Sequence, residues 1–195
     1  LARVTGKTRG NVILRDRQYT SSKDEKRSLE ISKNCISGKV YNARWVLERA
    51  IRDHAMQIDK ERVKVASLQL KTFLQYIQNA ESKEQLRGYE GEAASIYFSV
   101  FDELILQQKK DFSFHGRSKR PPMDNVNAML SFVYTLLTNQ ITSALESVGL
   151  DPCVGYLHTE RPGRASLALD LIEEFRAVYA DRFVLSLINK KIVNK

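Results

Sequence analysis

GYLHTERPGRASLALDLIEEFR, residues 155–176, sets a histidine and a basic turn ahead of an acidic amphipathic helix. Pro162 and Gly163 close the turn, and Ser166 has the hydroxyl of a good N-cap, so helix is expected from about Leu167. Leu167, Leu171, Ile172 and Phe175 then form an apolar stripe. Asp170, Glu173 and Glu174, at i, i+3 and i+4, are expected to project together from another, solvated face. Three like charges on one turn repel, and a divalent cation among them turns that cost into binding. His158 can add a nitrogen ligand. One imidazole with carboxylates and water suits Mg²⁺ or Mn²⁺ better than structural zinc, which favours thiolates and several imidazoles. A carboxylate cluster near a helix start also serves plain macrodipole complementation on a wet surface. Arg161 and Arg164 weigh toward a phosphodiester site, because cations hold a phosphate while a metal acts on it.

Working outward, the third helix of the scaffold is expected to start at Ser82, with Gln85 completing a capping box. Leu86, Ala93 and Tyr97 mark its inward face, and Glu90 falls on that face between Gly88 and Gly91. A carboxylate facing a core needs a partner, since burying it alone costs several kcal/mol. From Gln107 to Pro122 a loop carries Lys109, Lys110, Arg117, Lys119 and Arg120 against Asp111, with Phe112, Phe114 and His115 interleaved. Cations mixed with rings suit a nucleic-acid groove, and they also suit a solvated loop.

The remaining elements read as scaffold. Apolar residues recur at helical spacing from about Asp24 to Gln57, and again through Val63, Ala66, Leu70, Phe73, Leu74 and Ile77. Asp124 caps a central helix whose stripe runs from Val126 to Val148, with Gly149 as its C′ residue. Whether Asn125, Asn127, Ser131 and Tyr134 line a site or satisfy neighbouring backbone stays open. A last helix, or pair of helical turns, passes through Val184, Leu187 and Ile188. The fold class is therefore all-α, a multi-helix domain over residues 21–195. Residues 1–20, with five basic residues against one acidic, contain a short β-like run from Asn11 to Leu14. Thr20-Ser21-Ser22 reads as a turn.

At 195 residues with 43% hydrophobic content, one sizeable core is the natural expectation. A formal charge of +8 favours a polyanionic partner. No apolar run approaches a membrane span. Cys35 and Cys153, two thiols without metal-type spacing, read as reduced in a cytoplasmic protein. The chain opens on Leu1 and closes on INKKIVNK without a cap, as a fragment would.

Residues 155–176, together with GYEGEAASIYF (88–98), HGRSKRPPMDNVNAMLSFVYTLL (115–137) and Lys39, Asn42 and Arg44 in GKVYNAR, resemble the CRISPR-associated integrase family, the metal-dependent DNA nucleases of spacer acquisition. The resemblance runs from about Tyr19 onward with its motifs in order. It implies an α-helical catalytic domain preceded by a β-rich dimerisation domain, of which residues 1–20 are the remnant and linker. It implies Glu90, His158 and Glu173 as ligands of Mg²⁺ or Mn²⁺. Asp170 matches an acidic position, as further ligand or proton acceptor. The last acid is glutamate here, where many relatives carry aspartate. Arg161 matches a basic position and, with Arg164, would hold phosphate, as would Arg117, Lys119 and Arg120. Implied partners are double-stranded DNA (protospacer and CRISPR repeat), a second copy in a homodimer, and a small ferredoxin-like subunit. Two other readings stay open: a non-catalytic helical nucleic-acid-binding module, and a metal hydrolase of small phosphoesters.

Overall fold

The computed structural model describes residues 11–194, in which seven α-helices and no strand are found. They are α1 (Val12–Lys23), α2 (Glu25–His54), α3 (Lys60–Gln78), α4 (Lys83–Ser99), α5 (Asn125–Ser147), α6 (Ser166–Phe175) and α7 (Arg182–Asn189). A 3₁₀ turn, Phe101–Leu104, follows α4, and a π-type segment, Arg176–Asp181, joins α6 to α7.

The spine is α2, 30 residues and so about 45 Å long at 1.5 Å per residue. Asp24 starts it by accepting from the Arg27 N–H at 3.1 Å, one of the amides that a helix start leaves unpaired. Ile36, Val40, Ala43 and Leu47 line its buried stripe. Against this stripe pack Val63, Ala66, Leu70 and Ile77 of α3, Leu86, Ala93 and Tyr97 of α4, and Ile172 of α6. Leu130 of α5 and Val184 and Ile188 of α7 complete the cluster. The helical spacings of the sequence thus became one main core, with a second, smaller cluster at Leu145, Leu167 and Ala168.

The caps bear out two local readings. Ser82 accepts from the Gln85 N–H at 3.1 Å, while the Gln85 side chain reaches one residue past the cap, to the Glu81 N–H at 2.8 Å. Past α5, Gly149 sits at φ +89, where its N–H reaches Glu146 O and the Leu150 N–H reaches Leu145 O. That pair of bonds is a Schellman close, and it needs the left-handed residue that glycine supplies.

Three expectations are corrected. Asn11–Leu14 is not β-like: Asn11 caps α1, accepting from the Leu14 N–H at 3.1 Å, and Thr20-Ser21-Ser22 lies inside that helix. Its sequence lacks an apolar stripe, and Val12 and Ile13 are exposed. Polar bonds fasten α1 instead. The buried Gln18 amide donates to Asp151 O (2.8 Å) and Val154 O (3.0 Å) and accepts from the Asp151 N–H, while Tyr19 donates to the Asp151 carboxylate and Arg15 to Gly149 O. Residues 1–10, the rest of the expected β remnant, lie outside the described residues.

Secondly, Ser166 is not the cap of α6. Ala165 holds that position, and Ser166, fully buried, donates its hydroxyl to Thr159 O. The adjacent Leu167 N–H is satisfied by Pro152 O at 2.9 Å, so the loop does the work of a side-chain cap. Thirdly, the acidic face of α6 is not solvated: Asp170 is 1% and Glu173 5% exposed, whereas Phe175 of the expected apolar stripe is 37% exposed. Two glycines make this rotation possible. A Cβ on Gly38 would come within 2.9 Å of the Glu174 side chain, and one on Gly155 within 2.8 Å of both Asp170 Oδ2 and the Ser166 backbone. With those Cβ atoms missing, α6 closes onto α2 acid side first, and Asn42 of α2 locks it by donating to Glu174 O at 2.7 Å.

Candidate metal and phosphate site

A cavity of about 940 Å³ opens where α2, α4, α5, α6 and the 115–119 loop meet. Lys39, Glu90, His158 and Glu173 line one part of it, and Arg117, Lys119, Tyr134, Arg176 and Asp181 another. The three side chains implied as ligands therefore face one space, although they come from α4, the loop before α6, and α6.

His158 is the most firmly built of them. Asp170 accepts from three consecutive backbone N–H groups, Tyr156 (2.6 Å), Leu157 (3.1 Å) and His158 (3.0 Å), and its Oδ1 lies 2.7 Å from His158 Nδ1. An ionised carboxylate only accepts, so in the neutral ring Nδ1 carries the hydrogen and the lone pair is left on Nε2. This carboxylate–histidine pairing is the usual means of presenting an imidazole ligand. Asp170 itself stands behind the histidine with both oxygens engaged and does not line the cavity.

Glu173 and Glu90 are joined by a cation of the protein's own. The Lys39 ammonium pairs with Glu90 Oε1 and lies 2.7 Å from Glu173 Oε2, while Arg176 binds Glu173 Oε1 at 3.0 Å. Burial alone would depress the lysine, but Glu173 and Glu90 outweigh it and hold the ammonium above its ordinary value. For Glu173, burial pushes upward and Lys39 and Arg176 prevail, keeping the carboxylate below its usual range. Glu173 Oε2 is nevertheless buried with no aligned hydrogen bond, close to the lysine but poorly directed toward it.

Among the described residues, no three His, Cys, Asp or Glu side chains converge closely enough to grip one ion as they stand. The donor set still fits a hard divalent cation. Two carboxylates already share a positive charge between them, one of their oxygens lacks a directed partner, and an imidazole with an available Nε2 faces the same cavity.

Of the expected phosphate contacts, Arg117 and Lys119 line the cavity, whereas Arg120, Arg161 and Arg164 do not. Asn127 decides the loop's course: its amide donates to Gly116 O and Asp124, and its oxygen accepts from Arg117 (2.7 Å) and the Ser118 N–H (3.0 Å). Ser131 accepts from Arg117 at 3.1 Å. The open question about the α5 residues thus divides: Asn127 and Ser131 hold the basic loop, Asn125 donates to the Asp111 backbone oxygen, and Tyr134 lines the cavity. Sequence reasoning missed Arg176 and Asp181. For Asp181 the available signal was an aspartate set, with Arg182, inside the mostly apolar AVYADRFVL run.

Fold and cavity together define an all-α domain that gathers carboxylates, an imidazole and several cations around one open cavity. A family model described as CRISPR associated protein Cas1 matches residues 1–195, and the chain belongs to that family. It is 50% identical over 190 residues to a CRISPR-associated endonuclease Cas1 of Chlorobaculum tepidum, covering 97% of this chain and 55% of that protein. A second, from Rhodospirillum rubrum, is 53% identical over 194 residues, with 97% and 56% covered. The chain thus spans about half the length of these relatives. Among solved structures, a casposase bound to integration product matches at 31% identity and TM-score 0.79, over 95% of this chain and 49% of that one. A CAS1 protein from Thermotoga maritima matches at 25% identity and TM-score 0.83, over 100% and 58%.

Proposed function

We propose that this chain is the α-helical catalytic part of a divalent-cation-dependent DNA endonuclease and integrase that inserts new spacers into a CRISPR array. The observation that carries the reading is the shared cavity, where Glu90, His158 and Glu173 face the same space as Arg117, Lys119 and Arg176.

Glu90, His158 through Nε2, and Glu173 would hold Mg²⁺ or Mn²⁺ once the Lys39 ammonium gives way. When bound, the ion supplies Lewis acidity at a phosphodiester and lowers the pKa of a water or a DNA 3′-hydroxyl. The chain's own residues do the rest. Asp170 fixes the His158 ring, Arg176 steadies Glu173, and Arg117 and Lys119 hold backbone phosphate. Water as nucleophile gives strand cleavage, and a 3′-hydroxyl gives strand transfer.

The casposase's integration product supports transfer as the biological reaction. A partial Cas6-RT-Cas1–Cas2 complex, matching at 25% identity and TM-score 0.79 over 91% of this chain and 51% of that one, supports assembly with a Cas2 subunit. Homodimerisation through a preceding β-rich domain and a cytoplasmic location belong to the same proposal. Among the described residues, no helix is long and apolar enough to cross a membrane.

Glu90→Ala tests the reading. It should abolish Mn²⁺-dependent cleavage of duplex DNA while leaving salt-sensitive binding largely intact. Full cleavage by that variant would exclude the metal assignment, and a wild-type protein that binds DNA but never cleaves it would favour the non-catalytic module.

A further inference from the structure

The other cations of the cavity are arranged in a way the metal site does not require. Tyr134 projects from α5 with the guanidinium carbons of Arg117 and Arg176 at 5.3 and 4.9 Å from its ring centroid, within cation–π range. Its hydroxyl donates to Asp181 Oδ1, and Tyr97 of α4 donates to Asp181 Oδ2 at 3.1 Å. Asp181 is 1% exposed, so a buried negative charge stands behind the ring that two arginines share. Arg117 is fixed further by Asn127 and Ser131, and Arg176 by Glu173. Even so, Arg176 Nε is buried with no partner. Burial, then Arg176, Arg117 and Lys39, press the Lys119 ammonium below its ordinary value, because these cations crowd one another. Fixed guanidiniums, mutual repulsion and an unused buried donor together describe a place prepared for an anion.

We propose that Arg117, Lys119 and Arg176 form an anion subsite for a DNA backbone phosphate next to the reacting one, and that Asp181 is its positioning residue, acting through Tyr134. The proposal rests on the DNA-processing reading but not on the metal, because none of its cations coordinates an ion. Tyr134 supplies a flat platform that fixes both guanidinium planes, and Asp181 fixes Tyr134.

The test is metal-free binding of a short fluorescent DNA duplex in EDTA, titrated with salt. Arg117→Ala should weaken binding about 10-fold and flatten the log K against log salt slope by about 0.9, the change for one lost phosphate contact. Tyr134→Leu should do the same, whereas Tyr134→Phe, which keeps the ring but loses the bond to Asp181, should weaken binding about 3-fold, and Asp181→Asn, which can still accept from Tyr134, by no more than that; wild-type binding by Tyr134→Phe would overturn the role of Asp181. If Tyr134→Leu does not fold, Arg117→Ala carries the test alone. An unchanged salt slope in Arg117→Ala overturns the subsite, and equal losses in Tyr134→Phe and Tyr134→Leu overturn the platform. Calorimetric Mn²⁺ uptake should be unaltered in Arg117→Ala. Glu90-dependent cleavage together with normal binding by the subsite variants would sink this proposal alone. The predicted binding changes in a protein that never cleaves DNA would sink the metal reading alone.

Discussion

Replacing Asp181 by asparagine should make the protein more stable at pH 8 and have no such effect at pH 4. Burial raises the Asp181 carboxyl from an ordinary 3.8 to about 6, against the opposing pull of Tyr134, Tyr97, Arg176 and Arg117. The folded protein therefore holds this proton to higher pH than the unfolded chain does. Below about pH 4 both states are protonated and the group costs nothing. As pH rises through the window from about 4 to 6, the unfolded chain ionises first and folding loses stability. At about 1.4 kcal/mol per pH unit, the full loss is about 3 kcal/mol above pH 6. Asparagine keeps the shape and can still accept from Tyr134, but its amide must donate to Tyr97, whose hydroxyl loses its acceptor. Offsetting about 1 kcal/mol for that rearrangement leaves a net gain of about 1–2 kcal/mol, or roughly 2–8 °C in Tm for a chain of this size. Thermal unfolding followed by circular dichroism from pH 4 to 8 measures it. Parallel pH dependences for wild type and variant, or a variant less stable at pH 8, would refute the argument. Since the same variant should bind DNA less well, it also separates stability from function, as strained sites commonly do.

Two further outcomes follow from the site's packing. Gly155→Ala places a methyl 2.8 Å from both the Asp170 carboxylate and the Ser166 backbone, and because backbone cannot swing aside, a loss of about 1–3 kcal/mol is expected in denaturant unfolding. Wild-type stability in that variant would mean α6 does not press on the 155–158 segment. Lys39→Met leaves Glu90 and Glu173 facing each other without their shared cation. It should cost about 2 kcal/mol, below the 3–5 of a fully buried pair because Glu90 is partly exposed. Mn²⁺ should then raise Tm more in the variant than in wild type, and an equal rise would show that lysine and metal do not compete for one place.

The helices with continuous apolar stripes could be read directly, because α2 to α5 bury residues at the spacing a 3.6-residue period demands. The inward placement of Glu90 followed from Leu86, Ala93 and Tyr97 on the same helix. The reading of α6 had Leu167 and Ile172 inward, as they are, but sent Asp170 and Glu173 the wrong way, since pattern reasoning sends carboxylates to water. What turns them inward is complementary charge from Lys39, more than a hundred residues earlier, and the space left by Gly38 and Gly155. Nor could spacing show α1, which is anchored by Gln18 and Tyr19 to backbone and carboxylate oxygens rather than by apolar burial. The role of Asp170 was half visible: its place beside His158 in the motif was plain, but its backbone contacts depend on a loop that only folding closes.

That polar fastening of α1 gives the molecule a thermally distinctive joint. Undocking the helix exposes amides and a phenol but little hydrocarbon, so it carries only a small heat-capacity change and responds weakly to cooling, unlike the apolar core. Val154 O, one of the atoms Gln18 grips, is a single residue before the glycine on which Asp170 and His158 depend. The outlying helix thus grips the same short segment that carries the imidazole.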